Sequence, residues 1–340
     1  MEELLKKILR QLLKRNAKLL RNIEIIYLKI KNRNYKFESE KRKNLDIYSI
    51  EKLVEYIGLY PTEYYFGVSL YGIIDVLKEY SGISPKLKFK GAIEHGLHLG
   101  EYYNREEIQK DMGKILTFGK YRESILRKYT ENAIYKIGPY IYYAEGIYSN
   151  EKIIKIKKKL GKTLVFFPIH SIEKVEMNYE IDLILKKLRE LKKEFNTLIV
   201  CMYYHDILQN KHLRYLEIGA KIVTAGHKND KNFLKRLRSI IEIADETASN
   251  GVGTHIGYCL CLRKKHFIIE TDFEINFTEK DERDNFKKIE EEFKQSTFEI
   301  KNVFLKREKK ITKEQENIYI KYWGGNHLKT REELRSILTN

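Results

Sequence analysis

Short apolar runs alternate with longer amphipathic segments through the second half of the chain. Residues 163–167 (TLVFF) and 197–203 (TLIVCMY) have the composition of buried strands, and the segment between them, 178–195, carries apolar residues at helical spacing. Two further predicted strands, 221–225 and 266–270, each follow a predicted helix. Strands that alternate with helices need right-handed crossovers and form a parallel sheet. The pattern therefore predicts an α/β domain.

The first half of the chain repeats this alternation less regularly. We predict strands at residues 64–69, 87–94 and 114–118, with helices at 71–80 and 121–129. The chain has 340 residues, and domains usually have about 100 to 200, so two domains are expected. The predicted fold is α/β with two Rossmann-like domains that face a cleft. Its parts are a basic amphipathic helix (1–35), an N-terminal Rossmann-like domain (36–150), a C-terminal Rossmann-like domain (151–275) and a helical tail (276–340) that packs back on the domains.

The first 33 residues place leucine and isoleucine near helical spacing, with lysine and arginine between them. Such a basic amphipathic helix can lie in the headgroup layer of an anionic membrane. It can equally pack its apolar face on its own domain, and the sequence leaves both alternatives open. No apolar run is long enough to cross a bilayer, and the N-terminus is too charged for a secretory signal. We expect a cytoplasmic protein that is peripheral on the inner membrane face.

The charge balance predicts an anionic partner. Lysine and arginine number 65 against 48 aspartate and glutamate, which gives a net charge of +17. Nucleic acid, anionic lipid and phosphorylated substrates all fit such a charge. Codon bias toward lysine, isoleucine, asparagine and tyrosine would also explain part of it. The 25 tyrosines and 15 phenylalanines indicate a folded chain, because disordered chains have few aromatic residues.

Cysteine and histidine spacing gives no indication of a metal site. Cys201, Cys259 and Cys261 form no even disulfide framework, and we expect them to be buried thiols in a reducing compartment. His95 and His98 are spaced as metal ligands can be, yet no carboxylate or cysteine cluster matches them. We therefore expect neither a metal nor a separate cofactor.

A glycine-containing turn, SNGVGTH at residues 249–255, lies between a short apolar element and a predicted helix. Two glycines let backbone N–H groups approach a phosphate closely, and the dipole of the following helix favours its negative charge. An ordinary helix N-cap is the alternative, since serine, asparagine and threonine are common there. The turn also lacks the lysine of a Walker loop. The predicted phosphate-binding residues are Ser249, Asn250, Gly251, Gly253, Thr254 and His255.

Residues 161–270 resemble the donor-binding domain of two-domain (GT-B) glycosyltransferases, and are most similar to the bacterial surface-polysaccharide group of sialyl-, Kdo- and CDP-glycerol-type enzymes. In those enzymes a strand, a serine-containing turn and a helix hold the phosphates of the donor, and this chain has IIEIADETASNGVGTHIGYCLCLRKKHFII in that place. It departs from the family at 263–266, where Arg-Lys-Lys-His replaces the usual Gly-Lys-Pro. The resemblance implies that His170 and Ser171 face the cleft, and that Gly226 and His227 lie near the base or ribose.

A catalytic base is predicted in the other half of the chain. A neutral imidazole can remove the proton of an acceptor hydroxyl at physiological pH. His95 lies in the glycine-containing segment 95–100 after a predicted strand, with Glu94 beside it. We predict His95 and Glu94 as catalytic residues; the alternative is a hydrogen-bonded structural histidine. In the enzymes that the chain resembles, an acceptor-side histidine or carboxylate fills this role.

The predicted function is transfer of a sugar from a nucleotide-sugar donor, CMP- or UDP-linked, to a hydroxyl of a bacterial surface glycan or glycolipid of the capsule or lipopolysaccharide type. A sugar-nucleotide epimerase of the same fold is one alternative, since a fold does not determine chemistry. A basic nucleic-acid-binding protein is another, with tyrosines that stack on bases. Nucleic acid is the less expected partner, because the basic residues are spread along the chain and no recognised motif appears.

Overall fold

The structure, a computed structural model, describes residues 17–340. Residues 1–16 of the predicted N-terminal amphipathic helix lie outside the described residues, and the rest of it contains helix α1. The fifteen helices of the described residues are α1 (Ala17–Lys31), α2 (Tyr35–Arg42), α3 (Ile50–Val54), α4 (Ile73–Ser81), α5 (Lys120–Leu126), α6 (Asn150–Leu160), α7 (Ile181–Lys192), α8 (Tyr204–Leu208), α9 (Leu213–Leu216), α10 (Phe233–Ile243), α11 (Thr254–Cys261), α12 (Lys280–Lys287), α13 (Glu290–Phe304), α14 (Lys313–Trp323) and α15 (Arg331–Thr339).

The second half of the chain forms a five-stranded sheet in which every pair of neighbours is parallel. Its strands are β4 (Thr163–Phe167), β6 (Thr197–Cys201), β7 (Lys221–Val223), β8 (Glu246–Ser249) and β9 (Lys265–Ile268), in the order β7-β6-β4-β8-β9. The chain moves outward from β4 in one direction and then returns to its other side. The carboxyl ends of β4 and β8 therefore flank a topological switch point, where open α/β sheets bind ligands.

Apolar residues on both faces explain why this sheet is parallel and internal. All five residues of β4 and all five of β6 are buried. Strands covered by helices on both sides need continuous apolar sequence, as TLVFF and TLIVC provide. Helix α10 packs on β4 and buries Leu237, Ile240 and Ile241. We call this sheet and its helices the C-terminal lobe.

The first half of the chain forms a smaller parallel sheet, with β1 (Ala92–Ile93), β2 (Lys114–Thr117) and β3 (Ala133–Lys136) in the order β1-β2-β3. We call this sheet and the elements around it, residues 60–145, the N-terminal lobe. Residues 64–69 do not form the predicted strand, because a 3₁₀ segment covers Phe66–Gly72 and turns at the left-handed residues Tyr71 and Gly72. The predicted strand 87–94 shortens to the two residues of β1.

An antiparallel ribbon of two strands was absent from the sequence prediction. Strand β5 (Val175–Tyr179) pairs with β10 (Phe273–Phe277) along its whole length. The predicted helix 178–195 consequently begins only at Ile181. Each strand is only half-buried in an alternating pattern, and its partner lies far away in the sequence.

One continuous hydrophobic core joins the two lobes. It contains Ile93 and Leu116 of the small sheet together with Val165 of β4 and Ile256 of α11. The C-terminal helices contribute to it, because α14 packs on α5 and α11 while α15 packs on α4. None of the helices within residues 17–340 is long and apolar enough to span a membrane.

Candidate functional site

The loops that follow β4 and β8 lie side by side at the switch point. Phe167 is paired in register with Ser249, so both chains leave the sheet at the same level. The backbone N–H of Ile169 donates to Oδ1 of Asn250 at 2.7 Å, which ties the two loops together. A Cβ atom at Gly251 would lie 2.9 Å from Cδ1 of Ile169, so glycine allows this close approach. The strand order predicts that a ligand crevice lies beside these two loops.

Helix α11 begins directly at this crevice. Gly253 precedes it in an extended conformation, and no side chain caps its first turn. The first N–H groups of a helix have no acceptor within the helix, and together with the helix dipole they favour an anion. The turn therefore leads into a helix N-terminus, as its sequence indicates, and phosphate binding there stays a prediction.

An unpaired donor lies in the same turn. Asn250 is only 2% exposed, and its Nδ2 has no hydrogen-bond partner among the residues that the structure describes. An unsatisfied buried amide costs about 1 to 3 kcal/mol, so native proteins rarely leave one without a reason. With Oδ1 already bound to Ile169, Nδ2 is suited to donate to an oxygen atom of a ligand.

The Ser249 hydroxyl makes hydrogen bonds within the protein, and its predicted contact with phosphate stays a prediction. Its side chain is fully buried, and its Oγ donates to the carbonyl of Gly251 at 2.8 Å and lies 3.0 Å from Nε2 of His266. The other ring nitrogen of His266 lies 2.9 Å from Oγ1 of Thr247. The Ser249 hydroxyl thus supports the turn from behind, and the geometry does not favour direct contact with a ligand.

The two histidines predicted to face the crevice are held neutral. The His255 ring stacks on Phe167 at 5.3 Å, and burial lowers the pKa of His255 to about 3, with His170 adding to the shift. The His170 ring lies 4.4 Å from that of Tyr203, and burial likewise lowers the pKa of His170. The His170 side chain still reaches solvent. Its Nδ1–H donates to the carbonyl of Ser171 at 3.2 Å, so the neutral His170 ring has no second N–H for a phosphate, whereas the neutral His255 ring can offer one.

Ser171 lies at the same sheet edge but is already engaged. Its N–H points to the Asp206 carboxylate, and its Oγ accepts hydrogen bonds from Lys211 Nζ at 3.0 Å and from the N–H of Met177 at 3.1 Å. The residue is almost completely buried. Its predicted contact with a donor remains a prediction, and the bonds found here indicate that it holds the loop after β4.

Gly226 and His227 belong to the loop after β7. Gly226 has a φ of 98°, and its N–H donates to Oγ1 of Thr224. His227 packs its ring 4.4 Å from that of Tyr204, and burial lowers its pKa to about 4. The backbone N–H of His227 donates to the carbonyl of Leu53, so this loop also contacts the segment before the N-terminal lobe. Nearness to a base or ribose stays a prediction for both residues.

His95 of the N-terminal lobe lies close to the start of α11. The N–H of Leu97 donates to Oγ1 of Thr254 at 2.9 Å, so the His95 loop and the phosphate-binding turn are in contact. The pKa of His95 is lowered chiefly by burial, with the neighbouring Glu94 opposing and Lys228 reinforcing the shift. A half-buried neutral imidazole is the form that a general base requires.

Glu94 is committed to an ion pair. Its buried carboxylate lies 2.6 Å from an Arg122 nitrogen and accepts a hydrogen bond from Thr117 at 2.5 Å. Arg122, also fully buried, donates in addition to the carbonyl of Tyr102 at 2.7 Å. These contacts hold the loop that carries His95. A direct catalytic role for Glu94 stays a prediction, while the geometry favours a positioning role.

Sequence reasoning missed a group of aromatic and charged residues that complete the site. Tyr71 lies with its ring 5.9 Å from that of His95, and its hydroxyl lies 3.2 Å from the hydroxyl of Tyr203. Lys228 pairs with Glu173 at 2.6 Å beside them. The one available signal was position, since Tyr203 follows β6 and Lys228 follows β7 at the carboxyl edge of the sheet.

A groove of about 820 Å³ lies elsewhere, between α7 and the end of β9. Its strongest cation, Arg307, already pairs with Glu194 and Glu246. That charge is therefore unavailable to a phosphate, and we place the candidate site at the switch point. Within residues 17–340, no three His, Cys, Asp or Glu side chains cluster so that they could hold a metal ion.

Comparison with known proteins gives a limited result. No protein-family model and no curated protein matches the sequence. Among solved structures the chain is similar to the wall teichoic acid polymerase TagF, with a TM-score of 0.42 and 12% identity over 73% of this chain and 66% of that one. A second structure, of a variant of TagF in which alanine replaces a histidine, gives a TM-score of 0.43 and 12% identity over 74% and 68%.

Proposed function

We propose that this protein is a glycosyltransferase that binds a nucleotide-sugar at the switch point and transfers its sugar to the hydroxyl of a surface glycan. The observation that carries the proposal is the contact between Leu97 and Thr254, which joins the His95 loop to the start of α11. The unpaired Nδ2 of Asn250 adds a donor on the same side. This contact supports an anion site and a base that would act together, each contributed by a different lobe.

The donor phosphates would accept hydrogen bonds from the first N–H groups of α11 and from Nδ2 of Asn250. Their negative charge increases as the bond between the sugar and the phosphate oxygen breaks, because the electron pair leaves with that oxygen. Fixed donors aimed at this oxygen stabilise the transition state without reorganisation. The Lys228 ammonium is paired with Glu173 and would add positive charge for the phosphates only if that ion pair opened.

His95 would act on the acceptor. As the acceptor oxygen bonds to the anomeric carbon, the neutral imidazole takes the proton from that hydroxyl. The lowered pKa of His95 keeps the imidazole free of a proton near neutral pH. The chemistry needs a base and charge stabilisation, which a side chain and backbone N–H groups can supply.

The proposal also covers the identities of the donor and the acceptor. A CMP- or UDP-linked sugar and a capsular or lipopolysaccharide-type acceptor follow from the resemblance of residues 161–270 to surface-polysaccharide transferases. We also propose that the protein lies on the cytoplasmic face of an anionic membrane. Support comes from Ile26, Ile30 and Phe37 of α1 and α2, which are 58%, 70% and 63% exposed among several lysines. Basic surfaces that expose apolar side chains bind anionic headgroups.

A thermal-shift panel tests the proposed function. The panel contains UDP-glucose, UDP-N-acetylglucosamine, CMP-sialic acid, CDP-glycerol and the free nucleotides. A ligand at 100 times its dissociation constant stabilises the folded state by about 2.7 kcal/mol, which raises the melting temperature measurably. His95→Ala should keep the shift and lose turnover, whereas His327→Ala in the C-terminal tail should keep both. Absence of a shift with every compound would overturn the proposal.

The product analysis separates the alternatives. Transfer predicts nucleotide release that depends on an acceptor fraction. Conversion of the sugar while it stays attached to the nucleotide, with no acceptor present, would instead favour an epimerase. Salt-sensitive binding to arbitrary DNA, with no nucleotide-sugar binding, would favour a nucleic-acid-binding protein.

A further inference from the structure

Tyr71 adopts a backbone conformation that an aromatic residue rarely takes. Its φ of 59° and ψ of 12° place it in the left-handed region. The other non-glycine residues with positive φ in the described chain are Asn210 and Arg263. Asparagine tolerates this conformation, whereas a bulky side chain is strained in it. Such strain persists only where the surroundings enforce it, and it concentrates at functional sites.

The surroundings of Tyr71 enforce the conformation from the C-terminal lobe. Its N–H donates to the carbonyl of Lys228 at 2.7 Å. Its ring packs edge-on against Phe233 of α10 at 4.8 Å. The next residue, Gly72, also has a positive φ of 67°, and a Cβ there would lie 2.0 Å from the carbonyl oxygen of Lys231. The pair Tyr71–Gly72 is thus pressed against the loop after β7.

The side chain of Tyr71 connects both parts of the candidate site. The centre of the Tyr71 ring lies 5.9 Å from the centre of the His95 ring. The hydroxyl reaches Tyr203 at 3.2 Å, and the Tyr203 ring in turn packs on His170 at 4.4 Å. Tyr71 therefore belongs to the N-terminal lobe in sequence but is fixed by three contacts with the C-terminal lobe.

We infer that Tyr71 is a positioning residue that sets the His95 imidazole relative to the ligand bound at the switch point. Its backbone bond to Lys228 and its hydroxyl contact with Tyr203 fix the ring to the donor side, and the ring limits where the His95 side chain can lie. A misplacement of about 1 Å in a reacting group can lower a rate about 100-fold. The strain at Tyr71 is therefore offset by the faster reaction if Tyr71 keeps His95 in place. The inference rests on the proposed function, because it takes His95 as the base.

Three substitutions at Tyr71 test the inference. Tyr71→Phe keeps the ring and removes the hydroxyl, while Tyr71→Ala and Tyr71→Gly remove the whole side chain. Alanine retains the strained backbone and glycine relieves it, so the glycine variant should melt at a higher temperature than the alanine variant. We expect kcat for nucleotide release to fall about 10-fold in the Phe variant and about 100-fold in both others. The dissociation constant for the nucleotide should stay within about 3-fold of that of the wild type.

The position of His95 can be observed without substrate. In protein labelled with ¹³C-histidine, the His95 imidazole signal is assigned by its loss in His95→Ala. Loss of the Tyr71 ring should shift and broaden this signal, while the His327 signal stays unchanged. A fall in kcat that follows the fraction of folded protein, or an unchanged His95 signal in Tyr71→Ala, would overturn the inference. Failure of the wild type to bind any nucleotide would instead overturn the proposed function, so the two failures are distinguishable.

Discussion

The backbone N–H of Leu97 donates a hydrogen bond to the hydroxyl of Thr254 at 2.9 Å. This bond links the loop after β1 of the small sheet to the first residue of α11, the helix that follows β8 of the large sheet. Leu97 lies two residues after the candidate base His95, and Thr254 opens the candidate anion site. Loss of this bond should therefore affect chemistry as well as stability.

Replacement of Thr254 tests this relationship. Thr254→Val removes the acceptor but keeps the shape, so the Leu97 N–H loses its partner, and the free energy of unfolding should fall by about 1 kcal/mol. Turnover should fall more than stability suggests, by about 10- to 100-fold, because the His95 loop loses its attachment. Thr254→Ser keeps the hydroxyl and serves as the control. Urea unfolding and nucleotide release measure the two effects, and equal activity of the Val and Ser variants would contradict the account.

A second prediction concerns the buried pair Glu94–Arg122. Removal of one partner leaves the other charge buried and unpaired, so Glu94→Gln should lower the free energy of unfolding by about 3 to 5 kcal/mol. Arg122→Met should cost a similar amount. The double variant should be less destabilised than the sum of the two, which urea unfolding of all four proteins in a double-mutant cycle would show. A Glu94→Gln variant with wild-type stability and no turnover would instead restore a direct catalytic role to Glu94.

The sequence predicted the C-terminal lobe better than the N-terminal one, and the reason is physical. Strands β4 and β6 are buried on both faces, so each appears as an uninterrupted apolar run with clear ends. Strand β1 has only two residues, and its neighbourhood is shaped by the turn at Tyr71 and Gly72, which no periodicity reveals. The ribbon of β5 and β10 depends on a partner almost a hundred residues away, and local pattern cannot identify it.

For the candidate site, the sequence located the loops but not the direction of the side chains. The turn at 249–255 and the loop of His95 were both identified, and the structure brings them together. That Ser249 turns inward toward His266, while the buried amide of Asn250 stays unpaired, depends on tertiary packing. The Glu94–Arg122 pair joins residues from different elements and leaves no local sequence signal.

The buried histidines predict a pH dependence of stability. The pKa of His255 is about 3 in the folded protein, below the usual value of about 6.5. Between these two values the unfolded state binds more protons, so the free energy of unfolding falls as the pH falls through this window and is unaffected above it. His255→Phe removes the titrating group and keeps a ring against Phe167. Near pH 5 the variant should take up about one proton fewer on unfolding than the wild type. If the free energy of unfolding, measured in urea, changes with pH equally in the wild type and in His255→Phe, the lowered pKa of His255 is contradicted.

Membrane binding has a sharp test in the exposed apolar residues of α1 and α2. Ile30→Glu and Phe37→Glu should each weaken cosedimentation with vesicles of phosphatidylcholine and phosphatidylglycerol, because each removes an apolar contact and adds a repelled charge. Phe298→Glu is the matched control, since Phe298 is 66% exposed but lies on α13. Binding that all three variants lose equally would indicate a general charge effect, and no binding by the wild type would contradict the proposed membrane contact.

We propose above that an anionic ligand binds between the loop after β4 and the start of α11, with Asn250 as a hydrogen-bond donor. Isothermal titration of the best nucleotide-sugar from the panel into wild type and Asn250→Asp tests it directly. Aspartate keeps the oxygen that accepts the N–H of Ile169 but puts a negative charge where the free amide lies, and Asn178→Asp on the exposed ribbon controls for net charge. We expect Asn178→Asp to bind with wild-type affinity. We expect the dissociation constant of Asn250→Asp to rise at least about 100-fold, because a like charge buried beside the anionic ligand costs several kcal/mol. A folded Asn250→Asp protein that binds the ligand as tightly as the wild type would contradict it.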